Sequence, residues 1–130
     1  MTTTLSLQTL ATVSEKAAIP RYQRSGIKAG IVHFGIGNFH RAHQAVYLDD
    51  LFNLGLDHDW GIIGAGVTPY DSAMRDKLKA QDYLTTVVEQ DVGKSEARVT
   101  GAMIDFLDPA DRHAIIERLA DPAIRIVSMT

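Results

Sequence analysis

Cysteine is absent from all 130 residues. Its absence excludes disulfides, thiolate zinc sites and cysteine nucleophiles, and it fits a reducing compartment. Runs of like charge are absent too, since the net charge is −3 and the basic residues are scattered. Nothing therefore indicates a track for a nucleic-acid backbone or an anionic membrane. We expect no nucleic-acid partner and no membrane partner.

Long apolar runs are also missing. None approaches the roughly 20 residues that a transmembrane helix needs. The opening stretch MTTTLSLQTLATVS lacks the positive side chains and unbroken apolar core of a secretory signal. Neither a Gly-x-Ser-x-Gly elbow nor a P-loop lysine motif occurs, so two common enzyme classes lack their central residue. We expect a soluble, cytoplasmic protein.

The composition that remains is that of an ordinary globular domain, with 45% hydrophobic and 22% charged residues. Residues 1–29 form a polar lead-in segment, and we place one domain at 30–130. Predicted strands and helices alternate along it, which is typical of an α/β fold with a mostly parallel sheet covered on both faces.

The predicted order of elements is β-α-β-α-β-β-α-β. Because the sequence stops on a strand with the composition of a buried one, we expect it to be part of a longer protein. The elements are a strand at 30–35, a helix at 38–54, a strand at 60–67, a helix at 71–80, strands at 83–90 and 96–107 paired as a hairpin across 91–95, a helix capped by Asp108 with Pro109 in its first turn, and a strand at 123–130.

A glycine turn, Gly35-Ile36-Gly37, follows the first predicted strand. Gly35 permits a tight turn, and Gly37 lets a phosphate approach the backbone with no Cβ in the way. The next helix supplies free N–H groups and the positive end of its dipole. Strand, turn and helix in this order favour a nucleotide site. Two glycines in a βα turn also serve close packing, so that interpretation stays open.

His40 stands where a dinucleotide fingerprint has its third glycine, and Arg41 and His43 follow. A histidine crowds the standard turn, so either the helix begins differently or His40 faces the ligand; Arg41 reaches a phosphate or stands in solvent. His40 and His43 could also offer two imidazoles to a metal, but no pattern supplies a third ligand. We expect no metal site. We interpret His33, within the strand, as a packed core histidine.

The second predicted strand ends near Gly64-x-Gly66, and Asp71 follows five residues later. An acidic residue after this strand binds the ribose hydroxyls and repels a 2′-phosphate, and Asp71 is the best candidate. Asp71 is equally well placed to cap the helix predicted at 71–80. We expect the two glycines to leave room for the adenosine.

The stretch GIVHFGIGNFHRAHQAVYLDDL resembles the N-terminal signature of the mannitol 2-dehydrogenase family. These polyol-specific long-chain dehydrogenases carry Gly-x-Gly-x-Phe-His-Arg-x-His-Gln after their first strand. The segments IPRYQRSGIKAGIVH, DWGIIGAGV and MRDKLKAQDYLTTVVEQ agree as well, so the similarity runs from about Ile19 to the end. The resemblance implies the Rossmann-like, doubly wound domain of a two-domain, zinc-independent enzyme, with an inserted β-hairpin and an incomplete C-terminus.

The resemblance also implies an NAD-dependent activity on a polyol and ketose pair, D-mannitol and D-fructose first. A hexuronate reductase of the same family and a non-catalytic nucleotide-binding module remain alternatives. The family's catalytic lysine, asparagine and histidine lie in a helical C-terminal domain. No residue here matches them, so we expect this chain alone to be inactive and the missing domain to be its partner. Tyr70 stands where the family often has a second acid, which leaves the choice between NAD and NADP open.

The resemblance assigns ten residues to cofactor binding. Most belong to the glycine turn and the helix after it, and two lie later in the chain, after the second strand and at the end of the last one. They are Phe34, Gly35, Ile36, Gly37, Asn38, Phe39, His40, Arg41, Asp71 and Thr130.

Overall fold

The computed structural model describes residues 2–130. None of the described helices is both long and apolar enough to cross a membrane. Short 3-10 turns lie at Leu7–Thr9 and Arg24–Gly26. In chain order the strands are β1 (Ala29–Phe34), β2 (Gly61–Ala65), β3 (Thr85–Asp91), β4 (Lys94–Thr100), β5 (Met103–Phe106) and β6 (Ile126–Met129), and the helices are α1 (Leu10–Val13), α2 (Asn38–Ala42), α3 (Gln44–Asn53), α4 (Pro69–Lys79) and α5 (Arg112–Ala120).

Four strands form one parallel sheet in the order β5-β2-β1-β6. From β1 the chain adds β2 and then β5 on one side, and it returns to add β6 on the other side. The direction of winding therefore reverses beside β1. In doubly wound folds ligands bind at such a reversal, outside the carboxyl ends of the strands. The predicted α/β, mostly parallel fold is confirmed.

Each face of the sheet has its own hydrophobic core, because successive residues of a strand point to opposite faces. Ile31 of β1 belongs to the same cluster as Phe52 of α3. Val32, the next residue, belongs to a second cluster with Ile115 of α5. Burial of a side chain of this size stabilises the fold by roughly 1.5–3 kcal/mol. The two helices thus cover opposite faces.

The predicted hairpin is confirmed, and it forms a sheet of its own. β3 and β4 pair antiparallel from Thr85 opposite Thr100 to Asp91 opposite Lys94. At the base of the hairpin the hydroxyl oxygens of Thr85 and Thr100 lie 2.7 Å apart. A two-stranded hairpin is marginally stable in water by itself, so its attachment to the rest of the domain matters.

Asp49, a buried residue of α3, attaches the hairpin to the domain. Its carboxylate accepts hydrogen bonds from Arg98 at 2.6 Å, from the Tyr22 hydroxyl at 2.5 Å and from the Gly101 N–H at 3.0 Å. Burial, followed by the charge of Asp49, raises the pKa of Tyr22 and keeps its hydroxyl a donor. The prediction of a single strand at 96–107 is wrong. β4 ends at Thr100, because the Gly101 N–H bonds to the Asp49 carboxylate instead of to a neighbouring strand, and β5 begins at Met103.

The single helix predicted at 38–54 is also wrong, because it breaks at His43, whose φ is −122° and ψ is −86°. Nδ1 of His43 donates a hydrogen bond to the Phe39 carbonyl at 2.7 Å. In a continuous helix the His43 N–H would use that carbonyl; it bonds instead to His40, at 3.3 Å. The predicted helix end at residue 54 is confirmed: Gly55, the next residue, has a φ of +78°, and a Schellman pair of hydrogen bonds closes α3 there.

The start of α5 differs from the prediction as well. Its N-cap is Asp111, whose carboxylate accepts a hydrogen bond from the Ala114 N–H at 2.9 Å. The predicted cap, Asp108, accepts at its carboxylate from the Ala110 N–H and at its carbonyl from the Asp111 N–H, both at 3.0 Å. These bonds close a turn, and the helix begins only after it.

The lead-in segment packs against the hairpin. The Ala18 N–H donates to the Ala97 carbonyl at 3.2 Å, and the Val99 N–H donates to the Ala18 carbonyl at 2.7 Å. A cleft of about 900 Å³ lies between this segment, α3 and the hairpin. None of its lining residues belongs to the glycine turn after β1.

Candidate functional site

The glycine turn lies at the carboxyl end of β1, where the winding of the sheet reverses. β2 and β6 flank β1 and run parallel to it. Their carboxyl ends therefore meet the same edge of the sheet, and they bring Asp71 and Thr130 to the edge that carries the turn. The structure thus gathers all ten predicted site residues along one edge, as the doubly wound fold requires.

Gly35 is held on both sides of its α-carbon. Its N–H donates to the Ala65 carbonyl at 3.2 Å, and its carbonyl accepts from the Thr130 hydroxyl at 2.9 Å. Its φ is +90°, in the left-handed region that residues other than glycine avoid. A Cβ added here would lie 2.7 Å from the Thr130 carbonyl oxygen. Both the conformation and the space therefore require glycine.

Gly37 differs, because its backbone is extended, with a φ of −131°, and is open to any residue. It is the N-cap of α2, and a Cβ built on it would meet nothing within 4 Å. A ligand can therefore approach the main chain at this point. The first N–H groups of a helix lack intrahelical partners and bind anions well, so the geometry fits a phosphate of a nucleotide.

Arg41 folds back over the turn. Its Nε donates to the Gly37 carbonyl at 3.1 Å, and a terminal nitrogen donates to the Asn38 side chain at 2.6 Å. This arrangement holds a guanidinium charge at the first turn of α2. A phosphate bound by the helix N–H groups would meet that charge, since Arg pairs well with phosphate oxygens.

Two of the predicted binding residues pack against the hydrophobic cores. Phe34 is partly buried against the cluster that faces α5, and Ile36 is 1% exposed in the cluster that faces α3. Ile36 can therefore face a ligand only with its main chain. Phe39 is the opposite case, since it is 66% exposed and stacks on the ring of His43 at 4.3 Å between centroids.

The side chain of His40 points into the protein. It is 2% exposed, and its ring stacks on the ring of His33 with centroids 3.9 Å apart. Nε2 of His40 lies 2.7 Å from the side-chain oxygen of Gln44, whereas Nδ1 is buried with no partner among residues 2–130. What His40 offers to a ligand is therefore its backbone N–H in the first turn of α2. Its role in cofactor binding stays a prediction.

His33 has defined hydrogen-bond roles. The Thr130 hydroxyl donates its only hydrogen to the Gly35 carbonyl, so Nε2 of His33, 3.1 Å from that hydroxyl oxygen, must be the donor between them. Nδ1 is then the acceptor for the Ser128 hydroxyl at 2.7 Å. Burial, reinforced by the neighbouring His40, lowers the pKa of His33 to about 4. Burial also lowers the pKa of His40. Both rings are neutral near pH 7.

Asp71 fills the turn after β2. One carboxylate oxygen accepts hydrogen bonds from the N–H of Val67 at 3.0 Å, from the N–H of Thr68 at 3.0 Å and from the Thr68 hydroxyl at 2.6 Å. Thr68 is the N-cap of α4, and Asp71 is the third helical residue in a capping box. The interpretation of Asp71 as the N-cap is thus wrong, because the helix begins two residues earlier than predicted, at Pro69, and Asp71 supports the Thr68 cap from inside the first turn.

Gly64 in β2 and Gly66 just after it make room for protein atoms. A Cβ at Gly66 would overlap the Asp71 side chain, and one at Gly64 would lie 2.6 Å from the ring of Phe106 and 3.0 Å from Ile36. The expected space for an adenosine is therefore occupied by the protein. The second oxygen of Asp71 accepts no hydrogen bond from residues 2–130, so it is the atom left for a ribose hydroxyl.

The side chains of His40 and His43, which suggested a metal site, point in different directions. His40 faces the sheet, while His43 lies on the surface against Phe39. Across residues 2–130 no three His, Asp or Glu side chains form a group that could hold a metal ion.

Sequence reasoning missed two residues of this site. Thr68 had a readable signal, because Thr-Pro-Tyr-Asp places Pro69 at the first helical position and an acid at the third. Ser128 had none, because its contact with His33 depends on β6 lying beside β1.

The comparisons with known proteins agree with this geometry. The family model described as the mannitol dehydrogenase Rossmann domain matches residues 29–130. The mannitol 2-dehydrogenase of Cereibacter sphaeroides is 60% identical over 112 residues, which are 85% of this chain and 24% of that protein. The polyol:NADP oxidoreductase of Gluconobacter oxydans is 46% identical over 97% of this chain and 26% of its own length.

The fold also matches that of a solved relative. The ternary complex of Pseudomonas fluorescens mannitol 2-dehydrogenase with NAD and D-mannitol superposes with a TM-score of 0.92 and 44% identity, over 97% of this chain and 26% of that one. The chain thus spans about a quarter of the length of the relatives it matches. From the family model, the sequence identity and the superposition together, the chain belongs to the mannitol dehydrogenase Rossmann-domain family.

Proposed function

We propose that this chain is the cofactor-binding part of an NAD-dependent polyol dehydrogenase that interconverts D-mannitol and D-fructose. One observation carries the proposal: a glycine turn at the reversal of the parallel sheet, with open space above Gly37 at the start of a helix. The Pseudomonas fluorescens relative was solved with NAD and D-mannitol, which supports both the cofactor and the substrate.

The proposed roles follow from the position of each group. The main chain of residues 34–40 would hold the pyrophosphate, and Arg41 would add its charge. Asp71 would bind the ribose hydroxyls with its second oxygen, and Thr130 would lie at the nicotinamide end. We place the NAD-binding domain at 30–130, with 1–29 as a lead-in segment, in a cytoplasmic enzyme.

Bound NAD would supply the acceptor for a hydride from the polyol. The residues of this chain would bind and orient the coenzyme, and the catalytic groups would belong to the helical domain of the whole protein. Because no catalytic residue is assigned to residues 2–130, we expect this chain alone to bind coenzyme at most. The activity belongs to the whole enzyme.

The test is a dehydrogenase assay of the full-length protein with mannitol, arabinitol and fructuronate as substrates and NADH formation or consumption as the readout. We expect the highest kcat/KM with the mannitol and fructose pair. A preference for fructuronate would identify a hexuronate reductase instead. Coenzyme binding without turnover of any of these would leave a nucleotide-binding module.

A matched pair of variants tests the site itself. Gly37→Val places a branched side chain where the phosphates would approach, and we expect it to raise the Kd for NAD by about tenfold or more, since close approach of the main chain is lost. Gly26→Val is the control, because a Cβ there also meets nothing within 4 Å and Gly26 precedes β1, at the opposite edge of the sheet. Equal NAD affinity in both variants would contradict the assignment of the turn.

A further inference from the structure

A chain of hydrogen bonds runs directly beneath the glycine turn. The Ser128 hydroxyl donates to Nδ1 of His33, Nε2–H of His33 donates to the Thr130 hydroxyl oxygen, and the Thr130 hydroxyl donates to the Gly35 carbonyl. The Gly35 N–H continues the chain to Ala65 of β2. The direction of every donor is determined, because a carbonyl can only accept and a threonine hydroxyl has one hydrogen.

The centre of this chain is His33. A threonine hydroxyl rotates freely unless its neighbours choose a direction for it. By donating to the Thr130 oxygen, His33 leaves the hydroxyl hydrogen of Thr130 no better direction than the Gly35 carbonyl, 2.9 Å away. His33 thereby acts on the Gly35 peptide through the Thr130 hydroxyl, in addition to the contact of its own ring with the Gly35 backbone.

His33 also reaches the helix on the other side of the turn. Its ring stacks on that of His40 at an interplanar angle of 21°, and both rings are buried. His40 lies in the first turn of α2, three residues after Gly37. The stacked pair therefore links β1 and β6 to the short helix whose N–H groups face the turn.

We propose that His33 is a positioning residue for the coenzyme: through Thr130 and His40 it sets the orientation of the Gly35 peptide and of the first turn of α2. The inference rests on the proposed function, because it assigns a role within the nucleotide turn. A merely structural core histidine would support the fold and leave coenzyme affinity unchanged in the folded protein.

The first experiment compares two substitutions in the full-length protein by NAD titration. His33→Phe keeps a ring to stack on His40 but donates no hydrogen bond, and we expect its Kd for NAD to rise about fivefold. His33→Gln restores an N–H donor toward Thr130, and we expect it to recover most of that loss. The control is His58→Phe, which removes one hydrogen bond to the Phe52 carbonyl before β2, at the opposite edge of the sheet.

The second experiment is a double-mutant cycle with Thr130→Val, which removes the hydroxyl and keeps the shape. We expect Thr130→Val alone to weaken NAD binding by a similar factor, and the double variant with His33→Phe to be no weaker than either single variant within twofold. Additive losses would show that the two residues act separately, which would overturn the inference. If His33→Phe fails to fold, the same cycle with His33→Leu, which also lacks a donor, decides: Thr130→Val must then weaken NAD binding clearly less in that background than in the wild type.

The outcomes separate the two proposals. If the wild-type protein does not bind NAD, the proposed function has failed, and this inference fails with it. If the wild type binds NAD and His33→Phe binds it equally well, with only a lower melting temperature, the inference alone is wrong. Rescue by glutamine together with non-additivity supports it.

Discussion

The turns after β1 and after β2, at the carboxyl edge of the sheet, are held in different ways. The turn after β1 is held by Thr130, 95 residues away in the sequence from Gly35. The turn after β2 is held by Asp71, which lies three and four residues from the main-chain N–H groups it binds. The second turn is thus complete as soon as its own helix forms, whereas the first depends on β6 docking beside β1.

The two turns also differ in what occupies their interior. At Gly66 a protein carboxylate fills the turn, and a Cβ would overlap it. At Gly37 no atom of residues 2–130, apart from the adjoining residues, lies within 4 Å of an added Cβ. The second turn is filled by the Asp71 side chain, which stabilises the start of α4. The first turn is held by Thr130 and leaves space at Gly37, where a ligand can bind.

The largest effect is expected for the first turn, in Gly35→Ala. Alanine at this position would have to adopt a φ of +90°, and its Cβ would lie 2.7 Å from the Thr130 carbonyl oxygen. We therefore expect the free energy of unfolding to fall by about 3 kcal/mol. Urea unfolding of the full-length protein measures it. Gly26→Ala is the control and should cost under about 1 kcal/mol. Equal losses in the two variants would show that the turn is not constrained as described.

The second turn is tested by Gly66→Ala, for which we expect a loss of about 2 kcal/mol in the same measurement. The new methyl group displaces the Asp71 side chain and so breaks the capping box of α4. The clash includes the Cβ of Asp71, 2.4 Å from the added methyl group, so Asp71→Gly removes it whereas Asp71→Ala does not. The double variant of Gly66→Ala with Asp71→Gly should therefore be no less stable than Asp71→Gly alone, and a clearly less stable double variant would show that the glycine is needed for another reason.

Asp71 should also govern coenzyme choice. Asp71→Ala removes a negative charge from the place where a 2′-phosphate would lie, and we expect the ratio of kcat/KM for NAD to that for NADP to fall about tenfold. Asp71→Asn is the sharper variant, because an amide oxygen can still accept the hydrogen bonds of the cap while the charge is gone. If neither variant changes the ratio, Asp71 serves only as a helix cap.

The smallest effect expected is a pH dependence of the first turn. His33 has a folded-state pKa of about 4, below the usual value near 6.5, so the unfolded chain takes up a proton at pH values where the folded protein does not. Stability is then lost as the pH falls from 6.5 toward 4. The ring of His33 faces His40 of α2, Ser128 of β6, Thr130 just after β6 and the Gly35 backbone, and Arg41 lies beside His40.

The comparison with His33→Phe isolates this contribution. Between pH 7.5 and pH 5.5 we expect the wild type to lose about 1 kcal/mol more unfolding free energy than the variant. Urea unfolding at the two pH values measures it. Parallel pH profiles would mean that His33 is not held neutral in the folded protein.

Much of the fold could be predicted from the sequence, because its signals are local. The hairpin across 91–95 and the end of α3 at Gly55 depend on hydrogen bonds between close neighbours, and both predictions were confirmed. The break at His43 was missed although its cause is local. A helical pattern does not reveal that the His43 side chain takes the Phe39 carbonyl from its own backbone.

The missed strand boundary has a long-range cause. The residues 96–107 have the alternation of one strand, yet the Gly101 N–H finds a better acceptor in the buried carboxylate of Asp49, 52 residues away. No local pattern records that partner. The same applies to the anchoring of the hairpin by Arg98, which requires α3 to lie next to β4.

The sequence by itself determined that a strand, a glycine turn and a helix follow one another, since Gly35, Gly37 and the residues after them act within a few positions. It also carried the motif that places the chain in its family. Only the tertiary structure decided that His33 and His40 stack beneath this turn, and that Thr130 holds Gly35. The Thr130 contact exists because β6 lies beside β1 in the sheet, and the histidine stack exists because the turn brings α2 back against β1. Both contacts depend on distance in space rather than on separation along the chain.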